Sequence, residues 1–252
     1  MDAVECAAKW FQTSQKVAVI TGAGISTESG IPDFRSGEGL YNEETEQGIP
    51  MEDVLSWSFF SEHPREFYRL FNEKLLFPDA RPNTGHFFLK RLEDAGHDVT
   101  IITQNIDGLH QKAGSTRVLE LHGNAGKIIT EYGSEKSLDE AVRDEKEMRV
   151  DGEWARPAIT LYGEALDRKV LQESVQAISE ADILLVMGTS LNVYPAAGLI
   201  FEYNGNRSVL VNREGTPLSD GFACVFSRPI GEWVEEVQQY LDADQHTSDR
   251  NE

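Results

Sequence analysis

Short runs of aliphatic and β-branched residues recur along the chain, each ending abruptly in polar or glycine-bearing sequence. Lys16–Thr21 leads straight into Gly22-Ala23-Gly24, and Val99–Thr103, Ile183–Met187 and Ser208–Val211 have the same form. Runs this short, with no polar alternation, predict strands covered on both faces. Between them the apolar spacing becomes helical over Gly85 to Ala95, stopped by Gly96, and over Ala165 to Glu180, Pro195 to Tyr203 and Gly231 to Leu241. Strands alternating with helices predict an α/β fold: a doubly wound, Rossmann-like parallel sheet with helices on both sides.

Two regions break the alternation, which predicts a smaller domain made of two insertions. Residues 31–78 mix aromatic residues, among them Trp57, Phe60, Phe67, Tyr68 and Phe71, into a helical pattern. Residues 123–156 are strongly charged, with a polar helix expected near Leu138 to Met148 and a turn at Asp151-Gly152. Residues 1–30, 79–122 and 157–252 are then left to the larger, discontinuous domain. A polar tail from Asp242 to Glu252 is expected to fray.

Composition narrows the function classes. Asp and Glu number 43 against 23 Lys and Arg, a formal net charge of −20, which repels nucleic-acid phosphates and anionic lipid. The acids are dispersed along helix faces rather than gathered in a tail, and such dispersal with little Lys fits adaptation to a salt-rich cytoplasm. Cysteine is limited to Cys6 and Cys224, too few for a disulfide framework. With an acidic start and no run near the roughly 20 apolar residues of a membrane helix, the chain is expected to be soluble, cytoplasmic and monomeric.

Candidate chemistry gathers where the predicted strands end. Gly22-Ala23-Gly24-Ile25-Ser26-Thr27 follows the first strand, where glycines let backbone N–H groups approach a pyrophosphate. By itself the pattern equally describes a tight strand-to-helix turn, because Thr27 departs from G-x-G-x-x-G. Gln104-Asn105-Ile106-Asp107 lies just past another strand, the usual crevice position in an open α/β sheet. Its amides and carboxylate suit ribose hydroxyls and a carboxamide. Gly188-Thr189-Ser190 and Asn212-Arg213-Glu214 end two further strands and point to the same crevice.

Read through to Ile31-Pro32-Asp33-Phe34-Arg35, the first loop resembles the signature of the sirtuins, and Gln104 to His110, Leu121-His122-Gly123, Tyr162-Gly163-Glu164, Gly188 to Ser190 and Asn212 to Glu214 follow in that family's order. The resemblance implies NAD-dependent removal of acyl groups, acetyl foremost, from protein lysines, yielding nicotinamide and O-acyl-ADP-ribose. It implies catalytic roles for His122 as base and for Asn105 and Asp107 around the nicotinamide. Phe34 and Arg35 would cover that half of NAD, Thr189, Ser190, Asn212 and Glu214 would hold the adenosine half, and Ile230 would touch adenine. His110 is expected to be structural. Substrate proteins, Lys-rich ones suiting the acidic surface, would add a strand along Tyr162 to Glu164 and Leu191 to Tyr194. Mono-ADP-ribosyl transfer and non-catalytic NAD binding are the alternatives, and retention of the base His122 weighs against the second.

The chain departs from the family after Leu-His-Gly. Most sirtuins carry a zinc ribbon held by four cysteines there; residues 124–156 hold neither Cys nor His, only carboxylates such as Glu131, Glu135, Asp139 and Glu140. No structural zinc is expected. A seam of Ile128, Ile129, Tyr132, Leu138, Val142 and Met148 is expected to hold the module instead. Tyr68 followed by Phe71, where acid-removing sirtuins have Tyr and Arg, favours acetyl or longer apolar acyl groups.

Overall fold

The computed structural model describes residues 2–34, 39–42, 48–144 and 147–248. In chain order the elements are α1 (Ala3–Thr13), β1 (Lys16–Thr21), α2 (Met51–Val54), α3 (Trp57–Glu62), α4 (Pro64–Leu70), α5 (Thr84–Asp94), β2 (Asp98–Thr103), α6 (Leu109–Lys112), β3 (Val118–Glu120), β4 (Gly123–Thr130), β5 (Glu135–Ser137), β6 (Val142–Arg143), β7 (Met148–Val150), β8 (Glu153–Ile159), α7 (Arg168–Ser179), β9 (Ile183–Met187), β10 (Ser208–Asn212), β11 (Cys224–Ser227) and α8 (Ile230–Ser248). No helix among the described residues is long and apolar enough to cross a membrane.

Six strands form a parallel sheet in the order β11-β10-β9-β1-β2-β3. Successive residues of β1 face opposite sides, as strand geometry requires. Val17 and Val19 pack with α1, α5 and α8 through Phe11, Phe88 and Trp233, while Ala18 and Ile20 pack with Ile178 of α7 and with Leu199. Burial on both faces explains why the strands read as continuous apolar runs. From β1 the chain winds first to β2 and β3, then returns to β9 on the other flank, so the strand order reverses beside β1. Ligands in such sheets bind outside the carboxyl ends of the strands at that reversal.

The second sheet is antiparallel, in the order β5-β4-β8-β7-β6. Here the expected helix over Leu138 to Met148 is corrected: Leu138–Glu140 make one 3₁₀ turn, and β6 and β7 follow. Met148 and Val150 face inward and Arg149 outward, a two-residue period that pairing with β8 rewards and a helix would scramble. Asp151 and Gly152 both take positive φ, as the expected turn between β7 and β8 requires. β8 runs to Ile159, three residues past the expected boundary at 156.

The seam that holds this sheet is half of the expected one. Ile128, Leu138 and Met148 are buried against Phe60, Phe67, Tyr68 and Phe71 of the helical insertion. Ile129 is only partly covered, and Tyr132 and Val142 lie on the surface, 75% and 79% exposed. Polar ties complete the joint. The Tyr68 hydroxyl donates to the Ala155 carbonyl at 2.9 Å, and Arg156 makes a two-pronged bond to Glu164 beneath the rings of Trp57 and Phe60.

Burial of the six side chains Ile128, Leu138, Met148, Phe60, Phe67 and Phe71, at roughly 1.5–3 kcal/mol each, matches in gross terms the ~10–16 kcal/mol that a structural zinc supplies. Among the described residues no group of three or more His, Cys, Asp or Glu side chains is arranged to hold a metal ion. Protein purified without added metal is expected to contain well under one zinc per chain, and a strong chelator is expected to leave its melting temperature unchanged. Stoichiometric zinc, or melting on chelation, would overturn this account of the module.

Candidate active site

The carboxyl ends of β1, β2, β9 and β10 open into a cleft of about 1270 Å³ that runs on to the small sheet. Its floor is made by backbone meeting backbone. The Gly24 N–H donates to the Gly188 carbonyl at 2.8 Å, and a Cβ on Gly188 would stand 2.3 Å from the Ile25 nitrogen. Only glycine permits that approach, and Gly188 also sits at φ +62°. Asn83, the N-cap of α5, locks the turn from behind: its side-chain N–H₂ donates to the Ile25 carbonyl (2.7 Å) and Ser29 Oγ (2.9 Å). Asn83 escaped the sequence reading, although its place three residues before His86 is a helix-start signal.

On the β2 side, His122 Nδ1 lies 2.9 Å from the Gln104 carbonyl. A carbonyl only accepts, so Nδ1 carries the proton and Nε2 keeps a lone pair. Burial pushes the His122 pKa below the ordinary histidine value, opposed by the bond to Gln104. The result is a neutral imidazole on the cleft wall, ready to accept a proton at neutral pH.

Asn105, Ser26 and Asp107 form a chain of hydrogen bonds. Ser26 Oγ donates to Asp107 Oδ2 at 2.7 Å, so it accepts from Asn105 Nδ2 at 3.1 Å. The other Asp107 oxygen accepts from the Leu109 N–H at 2.9 Å, in the turn that leads into α6. Asn105 lines the cleft, Ser26 and Ile25 are buried beside it, and Asp107 is half-buried. Ser26 thus links the Asp107 carboxylate to the Asn105 amide. Gln104 reaches across to Thr189 Oγ1 at 3.0 Å and ties the two strand ends together.

The lining also includes Thr189, Ser190, Asn212, Glu214 and Ile230, together with Gly22, Ala23, Thr27, Asp33, Phe34 and Ile106. Arg35 falls outside the described residues. Glu28, another residue missed in the sequence, lines the cleft and accepts from the Gly231 N–H at 3.2 Å, meeting an otherwise unpaired donor at the start of α8. His110 is packed against His86, rings 4.9 Å apart, with Nε2 on Thr21 Oγ1 at 3.0 Å. Burial pushes its pKa down to about 3, so it stays neutral, in keeping with a structural role.

The Sir2 family model matches residues 22–195. The chain belongs to the Sir2 family. A relative from Clostridium acetobutylicum named NAD-dependent protein deacetylase is 43% identical over 228 residues, covering 89% of this chain and 93% of the relative. Another of that name from Cutibacterium acnes is 44% identical, covering 92% and 96%. Among solved structures, Sir2 with a p53 peptide and NAD+ superposes with a TM-score of 0.81 at 34% identity, covering 95% of this chain and 98% of that one. A Sir2 homologue in complex with ADP-ribose gives 0.86 at 28% identity, covering 98% of each.

Two expectations change in this Sir2 chain. Tyr68 and Phe71 are fully buried in the small-sheet core and do not line the cleft, so their identity is explained by packing and says nothing of the acyl group. Along the Tyr162 segment, the Tyr162 N–H and carbonyl are already bonded to the Leu55 carbonyl and Trp57 N–H, both at 2.8 Å. A strand added there would have to use the next residue, Gly163, which lines the cleft.

Proposed function

We propose that His122 acts as the general base of an acyl transfer between the two sheets, with Asn105 set by Ser26 and Asp107 to face the nicotinamide end. The chain is an NAD-dependent protein-lysine deacetylase. The observation that carries the catalytic reading is the neutral imidazole of His122, held through Nδ1 with Nε2 left basic on the cleft wall.

The residues present fit NAD. The close-packed glycine floor leaves room for a pyrophosphate against the turn at Gly22 to Gly24. Thr189, Ser190, Asn212 and Glu214 offer hydroxyl, amide and carboxylate partners for a ribose diol, and Asn105 and Gln104 do the same at the other end. When bound, NAD would supply an electrophilic ribose carbon for the acyl oxygen and a ribose hydroxyl for the acyl carbon, with one water consumed as lysine is released, so that nicotinamide, O-acyl-ADP-ribose and free lysine are the products. His122 Nε2 would take the proton from the hydroxyl that captures the acyl carbon. Phe34 shields that end from water. The acyl-lysine strand lies along Gly163 and Leu191 to Tyr194, bringing the acyl group into the cleft between the sheets.

Residues 31–78 and 123–156 serve as the small domain against which this strand docks. Acetyl-lysine is the substrate, on Lys-rich proteins drawn to the acidic surface and not on nucleic-acid complexes. A monomer in a salt-rich cytoplasm accounts for the charge of −20.

Incubation with NAD and an acetyl-lysine peptide, followed by mass spectrometry, is expected to show free lysine and O-acetyl-ADP-ribose in equal amounts. ADP-ribose attached to the peptide would instead assign mono-ADP-ribosyl transfer, and an unchanged peptide would sink both. Melting temperature is expected to rise steeply from about 0.1 to 2 M KCl, as the Debye length falls from roughly 10 Å to below 3 Å. A flat or falling response would remove the salt-adapted reading.

A further inference from the structure

We propose that Tyr41 and Tyr162 are positioning residues whose phenol–phenol hydrogen bond couples the cofactor end of the cleft to the peptide groove. The two hydroxyls lie 2.8 Å apart, and both rings line the cleft, although the residues are 121 positions apart in the chain.

Each phenol is tied to a different half of the site. The Tyr41 N–H donates to the Phe34 carbonyl at 2.9 Å, the Leu40 N–H donates to the Asp33 carbonyl at 2.8 Å, and the Tyr41 ring packs 5.2 Å from that of Phe34. Tyr41 therefore moves with Asp33 and Phe34. Tyr162 is held by Leu55 and Trp57 through its backbone and directly precedes Gly163, where the peptide strand adds. The hydroxyl pair can form only while the Asp33–Phe34 segment and the Tyr162–Gly163 segment keep this spacing. A ligand that fixes one segment consequently favours the bonded position of the other, which is positive coupling between two subsites. A neutral hydrogen bond of this kind corresponds to about a three- to tenfold effect on such an equilibrium. The inference rests on the proposed placement of peptide and cofactor.

Equilibrium titration tests it without turnover. Binding of an acetyl-lysine peptide is measured by calorimetry with and without saturating ADP-ribose, for the intact protein and for Y41F, Y162F and the double variant. Phenylalanine keeps the rings, and unchanged melting temperatures check that the fold survives. In the intact protein ADP-ribose is expected to tighten peptide binding. Each single variant should lose about three- to tenfold of that tightening, and the double variant no more than either single one, since one hydrogen bond cannot be lost twice. No tightening in the intact protein, full tightening in the single variants, or additive losses would each overturn the proposal. Absence of deacetylation in the turnover assay would instead strike the function proposed above, leaving the measured coupling to stand or fall by itself.

Discussion

The His122→Ala variant is expected to lose at least about a thousandfold in deacetylation rate while still binding NAD within about threefold of the intact protein. The separation follows from what His122 touches. Its Nδ1 is spent on the Gln104 carbonyl and its Nε2 faces the cleft, so its loss removes a proton acceptor. Gln104 keeps its own bond to Thr189, and the glycine floor is untouched. The pH profile supplies a second readout. Burial lowers the His122 pKa, so the basic form persists below the ordinary histidine value. Activity should hold as pH falls through about 6.5 and fail only at lower pH, as the imidazole takes a proton. Near-normal turnover in the variant would remove His122 from the mechanism, and an acid limb centred above 6.5 would contradict the burial argument.

Gly188→Ala should damage both fold and cofactor binding. The new Cβ would lie 2.3 Å from the Ile25 nitrogen and 2.5 Å from the Gly24 carbonyl carbon, on a residue held at φ +62°. Neither neighbour is a flexible side-chain end that can swing away, because both belong to the turn leaving β1. Relief requires β9 and that turn to separate, breaking the 2.8 Å bond from the Gly24 N–H to the Gly188 carbonyl. The expected cost is about 3 kcal/mol or more. In a chain of this size that lowers the melting temperature by roughly 6–12 °C, with NAD affinity falling alongside. Gly221→Ala, where a Cβ meets nothing within 4 Å, is the control and should stay within about 0.5 kcal/mol. A Gly188→Ala protein that melts and binds like the control would mean that the cleft floor is not rigid.

What separates the legible parts of this protein from the illegible ones is the range over which the deciding interaction acts. The central strands could be read locally, because burial on both faces leaves an unbroken apolar run in β1 and β9. The edge strands β3 and β11 are not legible in this way: Val118–Glu120 is three residues long, and Cys224–Ser227 alternates buried and exposed, as edge strands do. The Leu138 to Met148 stretch looked helical because its few apolar residues suit either period. Pairing with β8 decided the matter, and no local pattern reports on a partner strand.

By itself the sequence determined the α/β class, the family, the strand-end motifs that gather at one cleft and the absence of cysteine or histidine from the 124–156 module. Those are properties of residue identity and short spacing. The tertiary structure alone decided that Ser26 links Asp107 to Asn105, that Glu28 caps α8, and that Tyr68 and Phe71 serve the small-sheet core. It also decided that Tyr41 meets Tyr162 across the opening. Each of these depends on groups distant in the chain being brought within about 3–6 Å, where hydrogen bonds and ring contacts act, and that distance is set by the packing of two sheets rather than by either segment.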